Sequence, residues 1–585
     1  MNKRTVVLLV TISFSPVSGW AQNADTDSIR RHELLIFVKQ KGPAIASAQG
    51  LDSLASTYDI KPLSPASEAE ILSNGEQGRW LIAVPKLPPT ADTNPWDDAY
   101  TAAETARGPG IASTSSGAND VYIEPNVESK APTSVQAVGP LPPPWPNGNR
   151  FAWHLEDAYS GLATARTQIK KGGCIPRITI LDTGIWPQHS STPRQLQTKL
   201  QRNFFDGDKV GIDNATDPGT STALIKNPMH GTGTIGILAG GKVLASENSD
   251  HFQGDLGGAP DALIVPVRIS DSVVHFWTKE MAQGIDYAAT LPGAGTEQFC
   301  DVVSISMGGL PSRKWASAVN KAYSKGIVIV AAAGNNFSNF PTHFTVYPSR
   351  FSRVVTVSGA MADYTPYLSP PGADGSMEGN YGPASVMQKA VAAYTPNIPW
   401  AKWGTEHEYD LDGAGTSAAT PQVAAAFALW LQSHAVQEHI APGPTRVEAS
   451  MKAIFESADV AKAGAKTSRT YFGNGLLRAD VAMKHSAKGP FKVEEPAQVS
   501  FPFWRILFGL NEHSSLSAID QMRELEALQV SLQSPELAKY TDDQPEVSTL
   551  ANQLDARSTF IAALKKENIS VELRKYLDSH PLKGG

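Results

Sequence analysis

Across residues 150–486 short apolar runs alternate with longer stretches whose apolar positions recur at helical spacing. The runs include "RITILDTG", "DALIVPVRIS", "VVSISMGG", "GIVIVAAAGN" and "RVVTVSGA". Strands that are apolar throughout, with helices between them, predict an α/β domain: a mostly parallel sheet covered by helices on both faces. Ligands of such a sheet lie beyond the carboxyl ends of its strands. The polar endings "LDTG", "SMGG" and "AAGN" fall there.

The pattern before this domain is different. "ELLIFVKQ" predicts a strand and "AIASAQGLDSLASTY" a helix; "YDIKPLSP" and "RWLIAVP" predict strands, "DAYTAAETAR" a helix and "DVYIEPN" a last strand. The order βαββαβ is that of a small ferredoxin-like α+β domain, assigned to residues 22–130. Residues 131–149, "APTSVQAVGPLPPPWPNGN", are a stiff, exposed linker rich in proline and glycine. Residues 487–585 carry two helical patterns, one through Ile519, Met522, Leu525, Leu528 and Leu532, the other from Phe560 to Leu577, spaced for packing on another surface. "FPFWRILFGL" is apolar enough to touch a membrane, but packing on the main domain is the expected use. No repeat and no chemistry stand out in this helical tail.

At the amino terminus, Lys3 and Arg4 precede an apolar stretch and then small residues around Ala21. This layout predicts a secretory signal over residues 1–21, cut near Ala21. The stretch is too short for a membrane span, which takes about 18 or more apolar residues, and no later run reaches that length. The expectation is a soluble protein, secreted or periplasmic. The chain has 585 residues, room for several modules, and a net charge of -7 without a basic block, which argues against a nucleic-acid partner. Its two cysteines, Cys174 and Cys300, each precede a strand-like run. They form either a disulfide at one sheet edge or two buried thiols.

Candidate chemistry enters with three motifs. Asp182 ends "ITILDTGI", His230 opens the glycine-rich "HGTGTIGILAGG", and Ser417 opens the helix "GAGTSAATPQVAAAFALWLQ". Singly these are a turn acid, a helix-start histidine and a helix cap. Together they are the parts of nucleophilic catalysis: a serine, a base to take its proton, and a carboxylate to orient and stabilise that base. Pro421 has no N–H, so the Ser417 carbonyl loses its helical partner, while the free N–H groups of the first turn favour negative charge. The order Asp, His, Ser and the lack of a closing glycine in "GTSAA" argue against an α/β-hydrolase elbow.

Here the sequence resembles the subtilisin-like serine proteases, with all three motifs in that family's order. "CDVVSISMGG" resembles the substrate-binding strand and "IVIVAAAGN" the segment ending in the oxyanion asparagine. "GIDYAA" and "YFGNGLLRADVAM" are similar to further stretches, so the match runs over residues 153–482. The resemblance implies Asp182 as orienting acid, His230 as general base and acid, Ser417 as nucleophile and Asn335 as oxyanion donor beside the Ser417 N–H. It also implies that an extended peptide pairs with Ser306, Met307, Gly308 and Gly309, and that these residues and Ala332, Ala333 and Gly334 wall the primary side-chain pocket. Val346 would form its base, giving a shallow pocket for small or medium side chains. His189, seven residues after Asp182, matches a structural histidine. "HGTG" and "GTSAATPQ" depart from the commoner "HGTH" and "GTSMAAPH", which puts local packing and an adjacent calcium site in doubt.

The resemblance extends to the ferredoxin-like module, which is similar to the family's inhibitory propeptide and would be cut off between residues 127 and 149. The predicted function is thus that of a secreted, self-processing serine endopeptidase acting on peptide or protein substrates. Its rivals are an acyl transferase or peptide macrocyclase on the same fold and a non-catalytic binding protein. The chemistry requires no cofactor. The acidic stretch "DGDKVGIDNATD" is either a solvated loop or a structural calcium site; no metal ligands are assigned.

Overall fold

The computed structural model describes residues 29–41, 44–45, 49–64, 70–71, 77–87, 93–107, 121–130, 139–141, 151–219, 229–273, 275–337, 343–369, 376–510, 516–541 and 554–580. The signal stretch 1–21 and most of the linker 131–149 lie outside them. In the first module β1 (Leu34–Lys41), β2 (Tyr58–Pro62), β3 (Gln77–Pro85) and β4 (Tyr122–Pro125) form an antiparallel sheet in the order β2–β3–β1–β4. Helix α1 (Pro95–Arg107) buries Trp96, Ala99, Tyr100 and Ala103, one helical face. The first expected helix, over residues 44–58, is not continuous. Its described part is a two-residue strand Ala44–Ile45, one turn Gln49–Asp52 and a 3₁₀ turn Leu54–Ser56. Gly50 is a poor helix former, and only Leu54 of the 3₁₀ turn is buried to offset it.

After β5 (Glu128–Lys130) comes the central domain. Its strands β6 (Ile175–Asp182), β7 (Leu263–Arg268), β9 (Phe299–Ile305), β10 (Val328–Ala332), β11 (Val354–Ala360) and β12 (Ala390–Tyr394) are all parallel, in the order β12–β11–β10–β9–β6–β7, with Arg202–Asn203 added at the β7 edge. Alternate side chains enter two separate cores. Ile178, Ile180, Val302, Val328 and Val330 pack on one face with Val423 and Phe427, while Leu181, Val303, Ile329 and Ala331 pack on the other with Met281 and Trp315. The covering helices are α5 (Gly415–His434), of which every residue but Gln432 is buried, on the first face, and α3 (Thr278–Thr290) and α4 (Arg313–Ser324) on the second. This is the doubly covered parallel sheet that the apolar runs predict; β12 is a strand the sequence reading did not single out.

The tail folds into α6 (Pro502–Leu507), α7 (Ala518–Gln533), α8 (Leu554–Leu564) and α9 (Val571–Ser579). The pattern from Phe560 to Leu577 is therefore two helices. Ser570 starts the second by accepting the Leu573 N–H at 3.0 Å, a side-chain cap that ends the first register. Phe501, Phe503 and Trp504 of the apolar "FPFWRILFGL" are buried, with Phe503 against Tyr540 and Phe560. Among the described residues no helix is long and apolar enough to cross a membrane.

Cys174 and Cys300 are joined as a disulfide, their Cα atoms 5.7 Å apart across the starts of β6 and β9, where Cys300 faces Pro176. The bridge closes a long segment of the central domain, 126 residues in sequence separation. A Cys174→Ser, Cys300→Ser protein should lose about 3–5 kcal/mol of unfolding free energy. Denaturant titration of the two proteins checks this; an unchanged midpoint contradicts it.

Candidate active site

β6 ends at Asp182, 1% exposed, and its carboxylate is fully engaged. Oδ1 accepts the Thr183 N–H at 2.7 Å and the His230 Nδ1–H at 2.8 Å, and Oδ2 accepts the Thr234 hydroxyl at 3.0 Å. With Nδ1 donating to a carboxylate, the neutral imidazole has Nε2 as its acceptor. His230 opens helix α2 (His230–Ala239) after Met229, a buried residue at φ +61. That turn is tied down by Asp217, whose Oδ2 accepts the Met229 N–H at 3.1 Å and the Thr183 hydroxyl at 2.9 Å, while the Thr183 hydroxyl in turn accepts the Gly231 N–H at 3.1 Å. Burial pushes the Asp217 carboxyl above its ordinary range. Thr234 was not singled out from the sequence, and Asp217 was read only as the end of the acidic stretch, a solvated loop or calcium site, not as the anchor of the His230 turn. Thr234 lies one helical turn after His230 in "HGTGT", a spacing that would have placed it on the same face.

Ser417 sits in the first turn of α5, which packs against α2 and crosses the sheet. Its hydroxyl donates to the Ser306 carbonyl at 2.9 Å and is not hydrogen-bonded to His230 in this structure. The converse bond also exists: the Ser306 hydroxyl donates to the Ser417 carbonyl at 3.0 Å. That carbonyl is the one Pro421 leaves without a helical N–H, so Ser306 supplies the partner the helix cannot.

Asn335 follows β10. Its Oδ1 accepts the Thr416 N–H at 2.9 Å, and Thr416 Oγ1 bridges the Gly334 N–H (3.2 Å) and the Gly334 carbonyl (3.1 Å). With Oδ1 held by the residue before Ser417, the Nδ2 end of the amide is the one left to donate.

The predicted pocket walls meet around Val346. A Cβ on Gly308 would stand 2.4 Å from Val346 Cγ2, and one on Gly334, at φ +99, 3.0 Å from both Val346 methyls. The isopropyl group thus fills the space that two glycines leave between Ser306–Met307–Gly308 and Ala332–Ala333–Gly334. Val346 is held there by its N–H to the Ala333 carbonyl at 2.9 Å. Beside this wall, Leu310 N–H donates to Ser129 Oγ of the first module at 3.3 Å, and β5 pairs antiparallel with β8 (His275–Trp277).

His189 is remote from this chemistry in its bonding. Its Nδ1 pairs with Ser191 Oγ at 2.8 Å and its Nε2 with the Glu408 carbonyl at 3.0 Å, and burial lowers its pKa. It anchors the hairpin of β13 (Ile398–Ala401) and β14 (Tyr409–Gly413). From that hairpin Trp400 reaches the His230 ring, centroids 5.3 Å apart at 63°. Three of the four carboxylates of the acidic stretch go to protein partners: Asp206 to Asn203 and Arg268, Asp213 to Arg202, and Asp217 to the turn before His230. Among the described residues no group of three or more His, Cys, Asp or Glu converges as a metal site.

Comparison with known proteins gives a single direction. Residues 176–475 match the Subtilase family of peptidases. Subtilisin DY of Bacillus licheniformis is 27% identical over 314 residues, covering 53% of this chain and 91% of that protein. Thermitase of Thermoactinomyces vulgaris is 31% identical over 254 residues, covering 42% of this chain and 72% of its own length. Among solved structures, fervidolysin from Fervidobacterium pennivorans superposes with a TM-score of 0.50 at 18% identity, covering 78% of this chain and 61% of that one, a likeness of fold.

The Ser306–Ser417 exchange makes a measurable claim. Ser306→Ala should lower unfolding free energy by about 1–3 kcal/mol by leaving a buried carbonyl unpaired. Adding Pro421→Ala, which restores an N–H to that carbonyl, should recover part of the loss. Urea midpoints of the single and double variants decide; strict additivity would sink the explanation.

Proposed function

The chain belongs to the subtilase family of serine endopeptidases, and from that premise we propose that Asp182, His230 and Ser417 carry its peptide-bond hydrolysis. The observation that carries this reading is the buried Asp182–His230 pair, 2.8 Å apart, with helix α5 starting beside it. In the reaction the Ser417 hydroxyl swings from the Ser306 carbonyl toward His230 Nε2, gives up its proton there, and its oxygen attacks the scissile carbonyl. The negative charge that develops on the carbonyl oxygen is met by Asn335 Nδ2 and the Ser417 N–H, donors at the positive end of α5. His230, now an imidazolium stabilised by Asp182, passes its proton to the departing amine. Water then attacks the acyl carbon as it loses a proton to His230; the bond from that carbon to Ser417 Oγ breaks, His230 returns the proton to Ser417 Oγ, and the acid product leaves. Every proton is accounted for by side chains and water.

The extended substrate is read as pairing with Ser306–Gly309 and the β8 edge. The first module supports a zymogen reading, because its β5 already pairs with β8 and its Ser129 already meets Leu310. In this reading residues 22–130 are an inhibitory propeptide, separated by self-cleavage in residues 127–149, and the protein is exported by way of residues 1–21. Val346 between Gly308 and Gly334 supports a preference for small or medium side chains before the cut.

Three outcomes are expected. Wild-type protein should convert over time to two fragments whose masses sum to the chain plus one water, while Ser417→Ala stays whole; an uncut wild type would sink the self-processing reading, and products lacking the water would favour acyl transfer. Asn335→Ala should lower kcat by about 10²–10³, the loss typical of a single oxyanion donor and known from subtilisin itself, with KM little changed. Val346→Ala should raise kcat/KM for large aromatic residues relative to small ones by about tenfold or more in a peptide library; wild-type preference for aromatics or Arg would reject the filled pocket.

A further inference from the structure

The helical tail takes no part in the chemistry above, yet it holds both other parts of the molecule. Gln529 of α7 is the junction. Its Oε1 accepts the indole N–H of Trp96 in the first module at 3.1 Å, and its Nε2 donates to the Pro311 carbonyl of the central domain at 2.8 Å; both bonds are buried. At the start of α9 the Val571 N–H donates to Asp97 Oδ1 at 2.7 Å, and just before it the Asn568 carbonyl accepts from Asn94 Nδ2 at 2.9 Å. Tyr100 lies buried beside Glu526, whose carboxyl takes the Ser570 N–H at 2.6 Å and hydroxyl at 2.8 Å. The apolar side is continuous too: Trp96 and Tyr100 share one buried cluster with Met522, Leu525 and Leu528 of α7.

The tail is itself bound to the central domain away from the module. Asn320 exchanges two hydrogen bonds with the Ala497 backbone, at 2.9 and 2.8 Å. The first module is thus gripped from two sides: by the central domain, where Glu124 accepts from Ser312 Oγ at 2.6 Å, Glu33 pairs with Lys279 at 2.7 Å and β5 pairs with β8, and by the tail at α1. A cut in the linker part of the cleavage range, residues 131–149, severs the covalent link but touches neither grip.

We propose that α7 and α9 form, with the central domain, a composite binding surface for the cleaved first module, so that processing yields a two-chain complex that stays latent until the tail is removed. The proposal rests on the zymogen reading for its biological sense. Two rigidly linked contacts release a ligand only when both open together, so each one multiplies its lifetime. Loss of the tail would also expose to water the apolar surface of Trp96 and Tyr100 that α7 now covers.

The test uses the full chain carrying Ser417→Ala and a site-specific protease sequence inserted within residues 131–138. After cutting, the protein is diluted and the rate at which the module leaves is followed by size exclusion and intact mass. With the tail intact the module should remain bound. Gln529→Ala with Asp97→Ala should speed its release by about tenfold or more, two lost hydrogen bonds' worth. In a second arm a protease site inserted within residues 511–515 is also cut, mass and size exclusion identify the fraction that has lost α7–α9, and that fraction should release the module faster still. Equal release rates with and without the tail overturn the proposal. The zymogen reading is tested separately, by self-cleavage of the wild type: a wild type that cuts itself but whose module leaves at once refutes the composite surface alone, and one that never cuts itself refutes the zymogen reading alone.

Discussion

A parallel sheet buried on both faces has only its strand ends on which to display polar groups. In this chain both faces are sealed, with Ile178, Ile180 and Val302 turned to one core and Leu181 and Val303 to the other. The polar groups of the candidate site therefore gather at the carboxyl ends, where Asp182 closes β6, Ser306 follows β9 and Asn335 follows β10. Helices α2 and α5 start above the same edge and add His230 and Ser417. The proximity of residues far apart in the chain follows from this one constraint.

Buried polar groups at that edge need partners, and satisfying them is what gives the site its rigidity. Asp182 accepts three hydrogen bonds and Asp217 ties the turn that carries His230. Pro421, by withholding an N–H inside α5, obliges Ser306 to serve the Ser417 carbonyl, which couples the start of α5 to the end of β9. Asn335 is oriented in the same way through Thr416. Each group that would act in catalysis is thus held by a neighbour that would not.

Polar satisfaction also governs how the three parts of the chain join. Glu124 of the first module, buried and pushed up in pKa by burial, accepts from Ser312 Oγ at 2.6 Å and from the Arg313 and Lys314 N–H groups, completing the start of α4. Lys314 and Asp286, both of the central domain, form a buried pair at 2.6 Å to which Ser64 of the first module donates through Asp286 at 3.0 Å, and Lys279 meets Glu33 across the junction at 2.7 Å. Such pairs favour one arrangement strongly because separation would strand a charge. The first module and the tail consequently share one apolar cluster with the sheet's second face rather than forming independent bodies.

The residues by themselves determined the features whose signals are local: the apolar strands, the helix beginning near Ser417, the three motifs and the second helix of the first module, because period, caps and motif spacing act within a few residues of one another. They also showed that the Ser417 carbonyl would lack a helical partner. Tertiary structure alone decided that Ser306 is the partner, that Asp217 fastens the His230 turn rather than joining an acidic cluster, and that Cys174 faces Cys300. It also divided the last helical pattern at Ser570 and reduced the first helix to short turns, since packing and capping outweigh weak local preference there. The meeting of Gln529 with both Trp96 and Pro311 had no local signal at all, because a hydrogen bond between residues hundreds of positions apart exists only once the chain has folded around it.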